Sequence, residues 1–362
     1  MHIALIYNIR HAKPNLDDPQ YIKEAEFDEP GTIAGISEAL ERLGHKVYHI
    51  EADEDAYEKL KILKSRIDLV FNIAEGMHGA DREAQIPAML EMLQIPYTGP
   101  KPIGYALALH KAMAKDVMRA YGIPTPWGIV IKRVEQLSAD LIHEYPVIAK
   151  PLSEGSSKGI RAKNLAHNFE DLREITRGLI EEGGHQVLIE EFLTGREFTV
   201  AMIGNPVRVL PIIEITFDDL PDTMPKFEHQ ESKWLYDNPE IGVDPLVCPA
   251  QISQDLQYAI EQNCTEAFLV LGMADWARFD VRLDTDGIPR ILEVNCPPGI
   301  IPDPNQNSRF PRAAFSAGLS YDQMIEEILQ SACMRYGIAY VSEMKLVEEL
   351  ATEVSSADFV IV

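Results

Sequence analysis

The chain has 362 residues, 46% hydrophobic and 25% charged, the balance of an ordinary globular protein with length for two or three modest domains. Its 33 basic residues against 57 acidic ones leave a formal charge of −24, which repels nucleic acid and anionic membranes and excludes both as expected partners. A few lysines in a cleft still suffice to hold a small anion. The start, MHIALIYNIR, has too short an apolar run for a signal peptide, and no stretch approaches membrane-spanning length. Cys248, Cys264, Cys296 and Cys333 show neither CxxC pairing nor metal-ligand spacing, so they are expected as reduced thiols of a cytoplasmic protein.

HIALIY reads as a strand, and TIAGISEALERL follows as an amphipathic helix stopped by Gly44. The strand KVYHI, a helix around Asp55 to Leu63 and the strand DLVFNI complete a βαβαβ pattern, which predicts a parallel doubly wound sheet over residues 1–110. A second unit, 111–198, holds the helix KAMAKDVMRAYG, the strands WGIVI and PVIAK, a Gly/Ser loop, the helix NFEDLREITRGLIEE and the strand QVLIEEF. The third, 199–331, is richer in strands: FTVAMIG, VRVLPIIEI, WARFDVRLD and PRILEVN. A tail, 332–362, carries a helical pattern and a final FVIV without an assignable job.

WARFDVRLDTDGIPRILEVN is the most informative stretch. Asp286-Gly287 between two alternating runs is a two-residue hairpin signal. With that turn Thr285 faces Ile288, Asp280 faces Glu293, and Arg278 faces Asn295; Phe279 with Val294 and Val281 with Leu292 cover the apolar face. Two carboxylates opposed across a ladder repel each other. A divalent cation offsets that, and two carboxylates with an Asn oxygen suit Mg²⁺. The competing reading is a solvated hairpin face on which Arg278 and Arg282 neutralise the acids, and spacing alone leaves both open.

In PVIAKPLSEGSSKGIRAK, a strand ends in Lys150 and Ser153–Gly159 follow. Glycines let backbone N–H groups approach an anion and serines add donors, so the loop suits a polyphosphate. GxxxxGK[ST] is absent, which excludes a Walker A loop, while a plain flexible hairpin loop remains open. QVLIEEFLTGREF stays polar at Glu190, Glu191 and Glu197 while leading into a Gly turn. That suits a nucleotide hinge, or equally a set of solvated acids at a strand end.

Taken in order, these segments resemble the D-alanine–D-alanine ligase family of the ATP-grasp superfamily. KPLSEGSSKGI, VLIEEFLTGREFTVAMIG, RFDVRLDTDG and LEVNCPPG are similar to its phosphate loop, hinge, metal strand and metal/carboxylate segment. HGADREAQIPAMLEMLQIPYTGP resembles the end of its first domain and LALHKAMAK the helix after it, so the likeness covers about residues 65–330. It implies an α/β ATP-grasp fold in three domains: the N-terminal doubly wound sheet, a small central ATP-binding domain and a larger C-terminal domain. It also implies Mg-ATP, with Mn²⁺ an acceptable replacement and two ions bound, and amino-acid substrates. Since many members are dimers, it admits a homodimer.

By that resemblance Lys111 and Lys150 hold the α- and β-phosphates, and Ser156 and Ser157 line the loop over the γ-phosphate. Glu190, Glu191 and the backbone around Leu193 read adenine, Glu197 the ribose, and Lys233 the phosphate being transferred. Asp280, Glu293 and Asn295 match the metal ligands, Arg278 the residue that stabilises the tetrahedral intermediate, and Gly299 the donor beside it. Ser308 matches the serine that grips the second amino acid's carboxylate. The expected reaction is ADP-forming ligation through an acyl phosphate, with peptidoglycan precursor synthesis as the family's role. A dipeptide or amide from other amino acids is the rival, and an inactive nucleotide-binding protein is a further one that loss of a ligand or lysine would have marked.

Three segments depart from the family. Its Gly-Gly-x-Ser-x-Glu start is replaced by YNIRHAKPNLDD, leaving Glu26 or Glu29 to hold the first substrate's ammonium. Trp234 stands where a tyrosine often shapes the first-substrate pocket, and PPGIIPDPNQNSRFP is longer than its counterpart.

Overall fold

Both faces of the first strand are apolar, and both are covered. A computed structural model describes residues 1–13, 18, 20–21, 24–155, 157–221, 223–233 and 243–340. In it β1 (His2–Tyr7) lies between β2 (Lys46–Glu51) and β3 (Leu69–Asn72) in a parallel sheet of order β2-β1-β3. Ile3 and Leu5 pack with Ile33, Ile36 and Leu40 of the helix Pro30–Arg42, while Ala4 and Ile6 pack with Ala56 and Leu60 of the helix Ala56–Leu63. Successive side chains of a strand point to opposite faces, so helices on both sides bury a continuous apolar run.

The second sheet is antiparallel, of order β4-β7-β5-β6: Gly128–Ile131, Val187–Glu191, Val147–Pro151 and Leu165–Ala166. The helix Phe169–Arg177 closes its core through Leu172, and the expected longer helix continues as a π-helical turn, Gly178–Glu182. The third sheet runs β11-β10-β8-β12-β13, with β9 beside β8. These strands are β8 (Glu197–Ile203), β9 (Arg208–Val209), β10 (Ile213–Ile215), β11 (Leu246–Val247), β12 (Trp276–Leu283) and β13 (Pro289–Asn295). VRVLPIIEI, expected as one strand, is two, because Pro211 cannot donate to a ladder.

One face of this sheet packs on the helix Gln254–Val270. The other shares its core with the first sheet and with the helix Tyr321–Tyr336. The expected break at Ala332 therefore falls inside a helix: residues 332–336 belong to the folded unit. Arg335 there pairs with buried Asp275 (2.6 Å) and donates to Tyr97 O (2.8 Å) and Gly99 O (2.9 Å), tying the first hundred residues to the third sheet. The four cysteines form no disulfide. The end of the tail, 341–362, with FVIV, lies outside the described residues.

Candidate active site

The β12–β13 hairpin sets the geometry. Arg278 faces Asn295, Phe279 faces Val294 and Asp280 faces Glu293, as the sequence predicts. Towards the turn the register differs: Val281 faces Ile291, Arg282 faces Arg290 and Leu283 faces Pro289. The turn is longer than two residues. Asp284 N–H donates to Ile288 O (3.0 Å), and the Asp284 carboxylate accepts from Asp286 N (3.0 Å) and Ile288 N (2.9 Å). The pairing slipped there is restored by a bulge at Leu292, so the two displacements cancel before the acidic pair. Ile291, not Leu292, completes the apolar face with Val281; Leu292 is half-buried.

Asp280 is oriented on every side. Thr199, opposite it on β8, donates Oγ1–H (2.7 Å), Arg278 donates from Nε (3.2 Å) and Nη2 (3.0 Å), and Asn295 donates Nδ2–H (2.9 Å). Glu293 pairs with Lys111 Nζ at 3.1 Å. Burial alone would raise the Glu293 pKa, yet Lys111 and Lys150 hold it down at about 2. The alternative reading meets the structure in part: Arg278 neutralises Asp280 as it expects, but the face is largely buried and Arg282 takes no share in it. The side chains of Arg278 and Asp280 are 12% and 15% exposed, and Arg282 turns away to pair with buried Glu197 (2.7 Å).

Lys150, on β5, forms an ion pair with Glu190 of β7, and Lys115, one helical turn after Lys111, forms another with the same carboxylate. All three side chains are at most 8% exposed. Burial lowers the Lys115 pKa to about 8 against the attraction of Glu190, while Glu190 stays ionised below the usual carboxylate range despite its own burial. Glu190 is thus a buried counter-ion as well as a strand-end acid. Glu191, half-exposed, accepts from Trp127 N (3.0 Å). Phe192 N and Gly195 N are committed to Pro146 O and Leu283 O (both 3.1 Å), and among the described residues no acceptor is aligned with the Leu193 N–H between them. Burial pushes Glu197 up to about 7, with Arg282 opposing.

Lys233 lies 3.4 Å from Glu228, whose other oxygen accepts from Arg309 (2.7 Å). Burial notwithstanding, Arg309 and Lys233 hold Glu228 at about 2. Ser308 Oγ accepts from Ile301 N (3.1 Å) and donates to Gly299 O (3.3 Å), stapling the long loop to itself. Gly299 itself is exposed. Glu29, the N-cap residue of the helix Pro30–Arg42, has a side chain 61% exposed and paired with Arg10 (3.2 Å). Ser157 adopts φ +57°, a left-handed conformation in the Gly/Ser loop. Ser156 and Trp234 lie outside the described residues.

A model of the D-Ala–D-Ala ligase C-terminus matches residues 117–330. A D-alanine–D-alanine ligase of Halalkalibacterium halodurans is 35% identical over 299 residues, 81% of this chain and 90% of that protein. One of Syntrophotalea carbinolica is 32% identical over 309 residues, covering 84% and 91%. The chain belongs to the D-alanine–D-alanine ligase family. An uncharacterized protein of Sinorhizobium fredii is 33% identical over 316 residues, covering 84% and 89%. The solved D-alanine–D-alanine ligase from Bacillus anthracis complexed with ATP superposes at a TM-score of 0.67 with 21% identity, covering 92% of this chain and 98% of that one, and fixes the fold as ATP-grasp.

Against that family frame, Lys115, Glu228 and Arg309 are residues that sequence reasoning missed. Lys115 was legible as the i+4 partner of Lys111 on one helix face; Glu228 and Arg309 meet from segments 81 residues apart. Three further acids gather near the N-terminal sheet. The Asn8 side-chain oxygen accepts from Glu75 N and Gly76 N (both 3.0 Å), and Asn8 O accepts from Asp28 N (3.0 Å). Gly76, at φ +78°, lies so close to Arg82 that a Cβ would sit 2.1 Å from its carbonyl oxygen, which brings Glu75 against the Arg82–Glu83 turn. Burial, then neighbouring carboxylates, raises Glu75 well above its usual value and Glu83 to about 8; burial lifts Asp28 to about 7 against Arg10.

Proposed function

We propose that the protein is an ATP-dependent carboxylate–amine ligase that joins two amino acids through an acyl phosphate and releases ADP, as D-alanine–D-alanine ligases do. The observation that carries this reading is the opposed pair Asp280/Glu293, with Asn295 beside it, at the head of the buried lysines Lys111 and Lys150. The pair suits Mg²⁺. Its donors are oxygens alone, the hard ligands that this cation prefers. Asp280, Glu293 and Asn295 would hold the Mg²⁺ (or Mn²⁺), two ions by the resemblance, whose charge would offset that of the phosphates.

Lys111 and Lys150 hold the α- and β-phosphates, and Ser156 and Ser157 close over the γ-phosphate. Leu193 N–H reads the adenine edge, with Glu190 and Glu191 beside it, and Glu197 meets the ribose. The first substrate's carboxylate attacks the γ-phosphate, and Lys233 accompanies the phosphoryl group. The second substrate's amine then attacks the acyl carbon and phosphate leaves. Arg278, with Gly299, neutralises the charge that develops there. Positioning and charge neutralisation suffice for such phosphoryl transfer, and no protein nucleophile is required.

Residues 1–110 form the pre-ATP-grasp domain, 111–198 and 199–331 the two grasp subdomains, and the helix to Tyr336 extends the last. Peptidoglycan precursor synthesis in the cytoplasm is the family's expected setting, and no described helix is long and apolar enough to cross a membrane. Other amino acids are the second reading. Its support is the first-substrate side, where Glu26 is engaged by Arg82 (2.5 Å) and the acids on offer to an ammonium are Glu75 and Glu83. The test is incubation with Mg-ATP and a matrix of D- and L-amino acids, following ADP release and product mass. Pyrophosphate as the by-product of ligation overturns the acyl-phosphate reading.

A further inference from the structure

The phosphate loop is fastened to the N-terminal unit by two residues that no part of the reaction above uses. Arg82 Nη2 pairs with Glu26 Oε2 at 2.5 Å, and Glu26 Oε1 accepts from Gly155 N at 2.6 Å. The same guanidinium donates from Nη1 to Ser153 O (3.1 Å) and from Nη2 to the Glu154 carboxylate (3.3 Å). Arg82 and Glu26 side chains are 10% and 5% exposed, so these are desolvated, charge-assisted bonds rather than surface pairs. A Cβ on residue 155 would stand 2.9 Å from Glu26 Oε1, so the glycine permits the approach. From the loop the network continues inward. Lys111 Nζ donates to Glu154 O (2.6 Å) and pairs with Glu293 (3.1 Å), which links the latch to the acidic pair of the hairpin. A cavity of about 430 Å³, lined by Met77, His78, Arg82, Glu154, Lys158 and His185 among others, lies between the N-terminal residues and the loop.

We propose that Arg82 and Glu26 are positioning residues that fasten the phosphate loop to the N-terminal unit and so hold water off the acyl phosphate until the amine arrives. An acyl phosphate exposed to water is hydrolysed: water attacks the acyl carbon in place of the amine, phosphate departs, and the carboxylate is recovered with one ATP spent. Water exclusion is the work of such loops in phosphoryl transfer. Here the contact that keeps the loop in place spans 129 residues of sequence, between Glu26 and Gly155, and joins two folded units. Loosening it removes neither the Lys111–Glu293 nor the Lys150–Glu190 ion pair. The first half-reaction therefore continues while its product leaks.

The kinetic part of this inference rests on the ligase reading; the structural part does not, and the experiment separates them. Amide hydrogen exchange across 153–160 is measured without substrates in the parent, Arg82→Gln, Arg82→Lys and Glu26→Ala proteins, alongside thermal midpoints. Exchange in the loop is expected to quicken about tenfold in Arg82→Gln and Glu26→Ala, with Arg82→Lys between them and the parent. With substrates, ADP released per peptide bond is expected to rise from about one to about three or more in the first two variants, while hydroxylamine still traps the acyl group as a hydroxamate. Unchanged loop exchange in both variants overturns the latch, as does an unchanged ADP-to-product ratio in an active parent. If the parent itself forms no hydroxamate, the ligase reading falls and the exchange arm alone decides the latch. If Arg82→Gln fails to fold, Glu26→Ala and Arg82→Lys carry the test.

Discussion

Asp280 and Glu293 face each other across the β12–β13 ladder, and each carboxylate has its own set of partners: Arg278, Asn295 and Thr199 for the first, Lys111 for the second. Like charges opposed in a ladder destabilise it, which predicts that removing one charge stabilises the fold. The partners reverse that expectation. Glu293→Gln leaves Lys111 without its carboxylate and Asp280→Asn leaves Arg278 without its own, so each variant should lose about 1–2 kcal/mol of stability in denaturant titrations. Each should also lose turnover by on the order of a thousandfold, since the pair is the proposed metal site. Near-normal rates at limiting Mg²⁺ in both would remove the pair from the chemistry.

Glu190 is the counter-ion of two buried lysines, Lys115 and Lys150. Glu190→Gln leaves both cations without a carboxylate in a desolvated site, and breaking a buried pair in this way costs about 3–5 kcal/mol. The double variant Glu190→Gln, Lys115→Met restores part of that. A denaturation midpoint for Glu190→Gln within error of the parent contradicts the assignment.

The acids Asp28 and Glu83 give a pH signature with a definite sign. Their folded pKa values, about 7 and about 8, lie above the ordinary 3.8 and 4.5, so the folded state binds protons that the unfolded state has released. Their contribution to stability is fully present below the ordinary values and is lost as pH rises through about 7 and about 8. Stability of the substrate-free protein should fall across this window, and Glu83→Gln should flatten the fall. If an ammonium seats against Glu83, its binding at neutral pH releases protons, read by calorimetry in buffers of different ionisation enthalpy. Proton uptake on binding is the contrary result.

The acceptor is expected to carry a free carboxylate, so that the product is a peptide. Arg278 stands on the strand face of the acidic pair, opposite Asn295, and its five donors let it meet both the developing charge and an acceptor carboxylate. Replacing an amino acid by its decarboxylated amine strands those donors and should lower the rate by on the order of a hundredfold. Ser308→Ala should cost about 1 kcal/mol of stability through the Ile301 and Gly299 bonds and change acceptor KM less than about threefold. A large KM effect places Ser308 in the acceptor subsite that the resemblance implies for it.

The hairpin shows where legibility in the sequence ends. Alternation places Asp280 opposite Glu293 and Arg278 opposite Asn295, but Asp286-Gly287 reads as a two-residue turn because the Asp284 carboxylate, which captures two backbone N–H groups, leaves no periodic trace. The bulge at Leu292 is equally silent, since Ile291 and Leu292 are both apolar. The strands that carry Lys150, Glu190 and Glu197 lie in contiguous motifs and were legible. The latch was not: Glu26, Arg82 and Gly155 come from three segments whose meeting depends on how whole units pack. The Glu29–Arg10 pair was silent for the same reason, because an acid before a helix looks alike whatever its carboxylate faces.

The central claim is that the first substrate's carboxylate oxygen ends up on phosphate. Supply that amino acid with ¹⁸O in its carboxylate, together with Mg-ATP and the acceptor, and analyse the released phosphate by mass spectrometry. Transfer through an acyl phosphate places one ¹⁸O in each inorganic phosphate, alongside unlabelled ADP; unlabelled phosphate, or label recovered in AMP, contradicts it.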